Sequence, residues 1–159
     1  MQILGIDHVV LRCRDLGVML RFYTDVLGCS VTKRNERFGM IHLRAGVAQI
    51  DLVSTDGELG LAGGAPPGME GHNVDHICFR IEPFDLEALR IHFLSHGIDL
   101  GAVHHNFGAE GYGSAVYLKD PEGNSIELKG PSVQEAGRNK EPVGHRSAPE
   151  LSTDLPEPA

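Results

Sequence analysis

Ile6-Asp7-His8-Val9-Val10-Leu11-Arg12 and Val74-Asp75-His76-Ile77-Cys78-Phe79-Arg80 carry one pattern twice in a chain of 159 residues. Each opens on an Asp-His pair and runs on through β-favouring residues. A recurrence of this kind decides the fold before any single element does, because each copy is one supersecondary unit. Behind the first copy, Leu16, Met19, Leu20, Tyr23, Val26 and Leu27 recur at helical spacing, with Asp15 placed to cap the start and Gly28 to end it. Behind the second, Leu86, Leu89 and Phe93 repeat the stripe before Gly97. Strand-like runs follow each helix: 30–33, 39–44 and 48–54, then 102–105, 114–119 and 125–129. Each copy therefore reads β-α-β-β-β, and the chain is of the α+β class.

Outside the repeats the composition changes. Residues 55–73 are rich in Gly and Pro and read as a linker between repeat one (3–54) and repeat two (74–130). Residues 131–159 hold five of the nine prolines and have no aromatic residue, Ile or Met, so they are expected to form a disordered tail beside one domain of residues 1–130. Asp120-Pro121-Glu122-Gly123 suits a type I turn between the last two strands.

Charge and cysteine usage narrow the function classes. With 14 Lys+Arg against 22 Asp+Glu the formal charge is −8, and no basic cluster offers the footprint a phosphate backbone needs, so no nucleic-acid partner is expected. No apolar run approaches membrane-spanning length, so no membrane partner is expected either. Three separated cysteines with no C-x-x-C pair suggest neither a disulfide framework nor a thiolate zinc site, and a reducing cytoplasm fits them.

Alternate residues of a strand face opposite sides of a sheet. If Val9, Leu11, Ile50, Leu52, Ile77, Phe79, Ile126 and Leu128 face the helices, then His8, Asp51, His76 and Glu127 share the other, concave side. An isolated strand histidine or carboxylate is commonly a solvated residue. Here the same imidazole and carboxylate recur at equivalent positions of both copies, which makes His8, Asp51, His76 and Glu127 a candidate set for a divalent metal with open positions. Asp7 and Asp75 have the opposite parity and are excluded as ligands. Met40, His42 and Tyr117 fall on the concave side as substrate-wall or acid–base candidates. One of His104 and His105 must face the cavity, but spacing leaves open which. His92 and His96 flank an apolar stripe and read as surface histidines. Gly108-Ala109-Glu110-Gly111-Tyr112-Gly113 reads as a flexible lip.

The paired Asp-His openings, Phe22-Tyr23 ahead of Val26-Leu27-Gly28, and Asp120-Pro121-Glu122-Gly123-Asn124-Ser125-Ile126-Glu127-Leu128 resemble the vicinal oxygen chelate superfamily. That group includes glyoxalase I, methylmalonyl-CoA epimerase, extradiol dioxygenases, fosfomycin-resistance enzymes and bleomycin-binding proteins. The resemblance implies a cupped mixed β-sheet with helices on its outer face, one divalent metal ion (Ni, Co, Zn, Mn or Fe), a small-molecule substrate and a homodimer. It gives His8, His76 and Glu127 as metal ligands and Asp51 at the position where glyoxalase I has Glu. Arg12 matches a substrate-contacting arginine of glyoxalase I, whereas Thr55 stands where that family has an asparagine.

The leading expectation is a metal-dependent lyase or isomerase of the glyoxalase I or epimerase type, working through a metal-stabilised enediolate with Glu127, His42 and Tyr117 in acid–base roles. One alternative is an Fe(II) extradiol-type dioxygenase using His8, His76 and Glu127. Another is a non-enzymatic binding protein of the bleomycin-resistance type.

Overall fold

The computed structural model describes residues 1–133. The duplicated pattern folds as two copies of one unit. In the first, β1 (His8–Cys13) leads to α1 (Leu16–Arg21), then β2 (Ser30–Asn35), β3 (Met40–Ala45) and β4 (Ala48–Ser54). A short helix, α2 (Glu58–Ala62), follows in the connecting segment. In the second copy β5 (His76–Arg80) leads to α3 (Leu86–Ser95), then β6 (His104–Gly108), β7 (Gly111–Lys119) and β8 (Ser125–Lys129). The sheet orders are β1-β4-β3-β2 and β5-β8-β7-β6. In each, the first strand pairs parallel with the last and the other pairs are antiparallel. These are the two mixed modules of the cupped βαβββ architecture.

Strand parity sorts core from site as the apolar pattern requires. Leu11, Ile50, Leu52, Ile126 and Leu128 are buried, together with Leu43 and Val116, and they pack with Met19, Phe22 and Tyr23 of the first helical segment and Phe93 of α3. Each such side chain withdrawn from water contributes roughly 1.5–3 kcal/mol. One apolar cluster thus joins both units.

The first helix begins as expected: the Asp15 carboxylate accepts from Val18 N at 2.8 Å. It does not continue as one regular helix. Residues Phe22–Val26 form a π-helical turn, with Leu27 N donating to Phe22 O at 3.1 Å. The Thr24 hydroxyl donates to Leu20 O at 2.9 Å and so competes for the helix's own acceptors. The same turn carries Tyr23, whose buried hydroxyl donates to Asp120 Oδ2 of the second unit at 3.2 Å.

Further polar bonds fix one unit on the other. Asn73 brackets β1, accepting from Arg12 N at 3.1 Å and donating to Arg12 O at 3.0 Å. Asp15 N donates to Glu122 Oε1 at 2.8 Å, and His92 Nε2 bonds Val26 O at 2.8 Å. His92 therefore links the two helical segments while remaining exposed.

Two stretches differ from the sequence expectation. The Gly108–Gly113 region is not a free lip. It is the tip of the β6–β7 hairpin, where Gly108 pairs with Gly111, and the glycines that suggested a loop serve the turn, Gly111 with φ +103°. The segment 55–73 contains α2, seated so closely on the end of β4 that a side chain on Gly60 would meet the backbone of Ser54 and Thr55. The expectation of a tail over 131–159 lies outside the described residues from 134 onward.

Candidate metal centre

Three strands, β1, β3 and β4, deliver the first donor group. His42 on β3 lies opposite Asp51 on β4, and Val10 on β1 is Asp51's other neighbour. Asp51 is buried, and its Oδ1 accepts from Gln49 Nε2 at 2.9 Å and meets His42 Nδ1 at 2.9 Å. Gln49 Nε2 is also 3.3 Å from His42 Nδ1. Among the described residues Oδ2 of Asp51 has no hydrogen-bond partner. His8 stands at the start of β1 with about half of its side chain exposed.

The second unit repeats the scheme with different chemistry. Tyr117 on β7 lies opposite Glu127 on β8, and Cys78 on β5 is Glu127's other neighbour. Glu127 is buried, its Oε1 accepts from Asn106 Nδ2 at 2.9 Å, and its Oε2 lies 3.3 Å from His76 Nε2. Asn106 also donates to the Tyr117 hydroxyl at 2.8 Å. Burial and the neighbouring Glu127 carboxylate push the Tyr117 hydroxyl above its ordinary value, so it keeps its proton near neutrality. The same two causes push the Cys78 thiol up to about 11, which leaves it a poor nucleophile.

Both histidines are oriented in one way. Asp7 Oδ1 lies 2.7 Å from His8 Nδ1, and Asp75 Oδ1 lies 2.7 Å from His76 Nδ1. A carboxylate on Nδ1 fixes the tautomer and leaves Nε2 as the available donor, which is how metal-binding imidazoles are held. Chiefly through its bond to Asp7, the His8 pKa is raised above its ordinary value. Parity thus excluded Asp7 and Asp75 as ligands but gave no hint that they orient the imidazoles beside them.

The donor chemistry fits a divalent cation. Each unit supplies an imidazole Nε2 and a buried carboxylate with one oxygen held by a side-chain amide. The 3.3 Å gap between His76 Nε2 and Glu127 Oε2 is compatible with two donors each roughly 2.0–2.2 Å from one ion. Within one chain, His76 meets Glu127 and His42 meets Asp51. Among the described residues, no three His, Cys, Asp or Glu side chains converge to hold an ion. Of the four expected donors, His76 and Glu127 stand together, whereas His8 lies diagonal to Asp51 across the β1–β4 pairing.

The other expected site residues sort as follows. Met40 and His42 share the concave side of β3 with Arg44, and Tyr117 and Ala115 that of β7. His104 pairs with Ala115 and packs edge-on to Tyr117 at 5.5 Å, so it, and not His105, faces the site. His105 stacks on Tyr112. The Arg12 guanidinium donates to Gly64 O at 3.1 Å and Ala65 O at 2.9 Å, holding the segment between the units. Sequence reading missed Gln49 and Asn106. Gln49 shares the parity of Asp51 and was within reach of the same argument. Asn106 lies beyond the expected end of its strand.

Comparisons with known proteins agree with this architecture. The Glyoxalase/Bleomycin resistance protein/Dioxygenase superfamily model matches residues 5–128. The chain is 33% identical over 127 residues to virulence protein STM3117 of Salmonella typhimurium, covering 77% of this chain and 81% of that protein. The crystal structure of STM3117 superposes with a TM-score of 0.70 at 27% identity, covering 83% of this chain and all of the other. A glyoxalase domain-containing protein, RDO1 of Mycosarcoma maydis, is 32% identical over 139 residues, covering 86% of this chain and 72% of its own length. Lactoylglutathione lyase from Agrobacterium tumefaciens shares the fold, with a TM-score of 0.60 at 21% identity over 82% of this chain and 96% of that one. From the repeated module, the sheet order and these matches, the chain belongs to the Glyoxalase/Bleomycin resistance protein/Dioxygenase superfamily, with the vicinal oxygen chelate fold.

Proposed function

We propose that this protein is a metal-dependent lyase or isomerase of the glyoxalase or epimerase type, acting on a small oxygenated molecule. His8 and Asp51 of one copy join His76 and Glu127 of a second copy around one divalent ion in a homodimer. The observation that supports this reading is that each sheet carries an imidazole oriented by an aspartate and, diagonal to it on the neighbouring strand, a buried carboxylate. When bound, the ion supplies Lewis-acid polarisation of a substrate carbonyl and raises the acidity of the adjacent C–H. The chain's own groups do the rest. Glu127 accepts a proton beside that carbonyl, and Asn106 keeps its Oε1 in register. Tyr117, which stays protonated, donates to developing negative charge. His42, held through Nδ1 by Asp51, presents Nε2 as a second proton carrier.

A three-ligand reading is favoured by one contact. Asp51 Oδ1 already serves both Gln49 and His42. If Asp51 positions His42 and binds no ion, then His8, His76 and Glu127 form the two-histidine, one-carboxylate set that suits Fe(II) and an extradiol-type reaction. Metal affinity, measured by chelator competition on wild type, Asp51→Ala, Asp51→Glu and Glu127→Ala, separates the two. The four-ligand site expects at least about tenfold weaker binding for Asp51→Ala and retained binding for Asp51→Glu. Wild-type affinity in Asp51→Ala alongside failure of Glu127→Ala contradicts it and supports the three-ligand set.

A further inference from the structure

Beside His76 and Glu127 lies an open cavity of about 380 Å³, bordered by the β6–β7 hairpin. Lys129 lines it. This lysine is only 7% exposed over the whole residue, and with its stem packed away its ammonium is left at the cavity. Among the described residues no carboxylate lies within ion-pair distance of it and no group accepts a hydrogen bond from it. The neighbouring Arg80 is already answered, with Nε 2.7 Å from Glu110 Oε2 and Nη2 3.5 Å from Glu82 Oε2.

The duplication shows that the scaffold does not require a lysine there. β1 and β4 pair Val10 with Asp51 and Arg12 with Val53, and β5 and β8 pair Cys78 with Glu127 and Arg80 with Lys129. Val53 is therefore the counterpart of Lys129, and it is a buried apolar residue, 2% exposed. Glycines flank the lysine on the hairpin: a Cβ on Gly108 would stand 3.3 Å from Lys129 Cε, and one on Gly113 would meet the Pro131 and Gly130 carbonyl oxygens at 2.8 and 2.9 Å before reaching Lys129 Nζ at 3.1 Å.

We propose that Lys129 anchors an anion subsite, so that the molecule handled at the His76–Glu127 centre carries a carboxylate or phosphoryl group lodged in this cavity. The inference rests on the small-molecule reading of that centre and adds the charge class of its substrate. An anion there meets the Lys129 ammonium, which has no other partner among the described residues, by charge-assisted hydrogen bonds. The substrate's oxygenated carbon is thereby held next to Glu127.

The test is titration of acetate and, separately, inorganic phosphate into the full-length chain, both chelator-treated and zinc-loaded, following the backbone amide shifts of Gly108 and Gly113. One or both anions should give saturable shifts, and the tighter one names the class. Lys129→Met should weaken binding by about tenfold or more, as expected for loss of a hydrogen bond to a charged group. Lys129→Arg should stay within about threefold of wild type by the same reasoning, since the charge remains. Lys129→Met and Lys129→Val, the latter copying the first unit, should melt no lower than wild type.

Three results overturn the proposal: neither anion shifts these amides, Lys129→Met binds as tightly as wild type, or both neutral variants are destabilised. Zinc content of the same samples separates the two readings. Lys129-dependent anion binding without stoichiometric zinc keeps the subsite and sinks the metal reading. Stoichiometric zinc without Lys129-dependent anion binding does the reverse.

Discussion

At the scale of single residues, the site depends on what each imidazole is tied to. Asp7 and Asp75 hold Nδ1 of His8 and His76, and Gln49 and Asn106 hold one oxygen of Asp51 and Glu127. Removing the Asp7 charge withdraws the main stabilisation of the His8 imidazolium, so in metal-free Asp7→Asn the His8 pKa should fall back toward 6.5. An NMR titration of the ring protons measures this, and an unchanged value would show that Asp7 does not govern His8. Asn106→Ala should leave the sheet folded but lower metal affinity by about 10–100-fold, as loss of an orienting partner does. Isothermal titration reads that change. The strand positions of His8, Asp51, His76 and Glu127 were legible in the sequence, because parity and duplication agree on them. Their orienting partners were not, for a reason visible in Asp7 and Asp75. These side chains bond to the histidine next in sequence, so they belong to neither face of the strand, and alternation carries no information about them.

Elements place those residues, and two of them are held by features with measurable cost. The turn between β7 and β8 closes as expected, Gly123 N donating to Asp120 O at 2.9 Å. The buried Asp120 carboxylate then accepts from Glu122 N, Asn124 N, Asn124 Nδ2 and the Tyr23 hydroxyl. Asp120→Ala strands several buried donors at once, each worth about 1–3 kcal/mol, and should lower unfolding free energy by roughly 3 kcal/mol or more. Urea denaturation checks it, and Tyr23→Phe, which removes one bond, should cost only about 1 kcal/mol. On α2, Gly60→Ala would place a methyl 2.0 Å from Ser54 O, and the helix must back away from β4. A loss of about 1–3 kcal/mol is expected from such overpacking, read by the same denaturation.

The sequence showed the β7–β8 turn through its Pro and Gly positions, whereas α2 has too few residues for a helical period to emerge from a Gly-rich segment. The π-helical turn at Phe22–Val26 escaped for a related reason. Its apolar residues keep nearly helical spacing, and the change of hydrogen-bond partner turns on the Thr24 hydroxyl and on Tyr23 reaching a residue far along the chain.

Over the whole molecule, duplication has produced two units with the same sheet order and different concave chemistry. Val10, His42 and Val53 of the first stand where Cys78, Tyr117 and Lys129 stand in the second. Tyr23–Asp120, Asp15–Glu122 and His92–Val26 lock the units together. That the four donors share the concave faces was readable from parity. How the faces meet was not, because parity fixes which side of its own sheet a residue takes and says nothing about how two sheets are set against each other.

The central claim, that one ion is held by His8 and Asp51 of one copy and His76 and Glu127 of another, is tested most directly by mixing two defective variants. His8→Ala and His76→Ala should each lose stoichiometric metal binding while staying folded. In a mixed dimer, one centre combines both defects and the other combines two intact halves. Unfolding the two variants together, refolding them and measuring bound zinc should therefore restore tight binding at one ion per mixed dimer. If the mixture binds no more zinc than the separate variants do, the centre is not shared between copies in this way, and the account is contradicted.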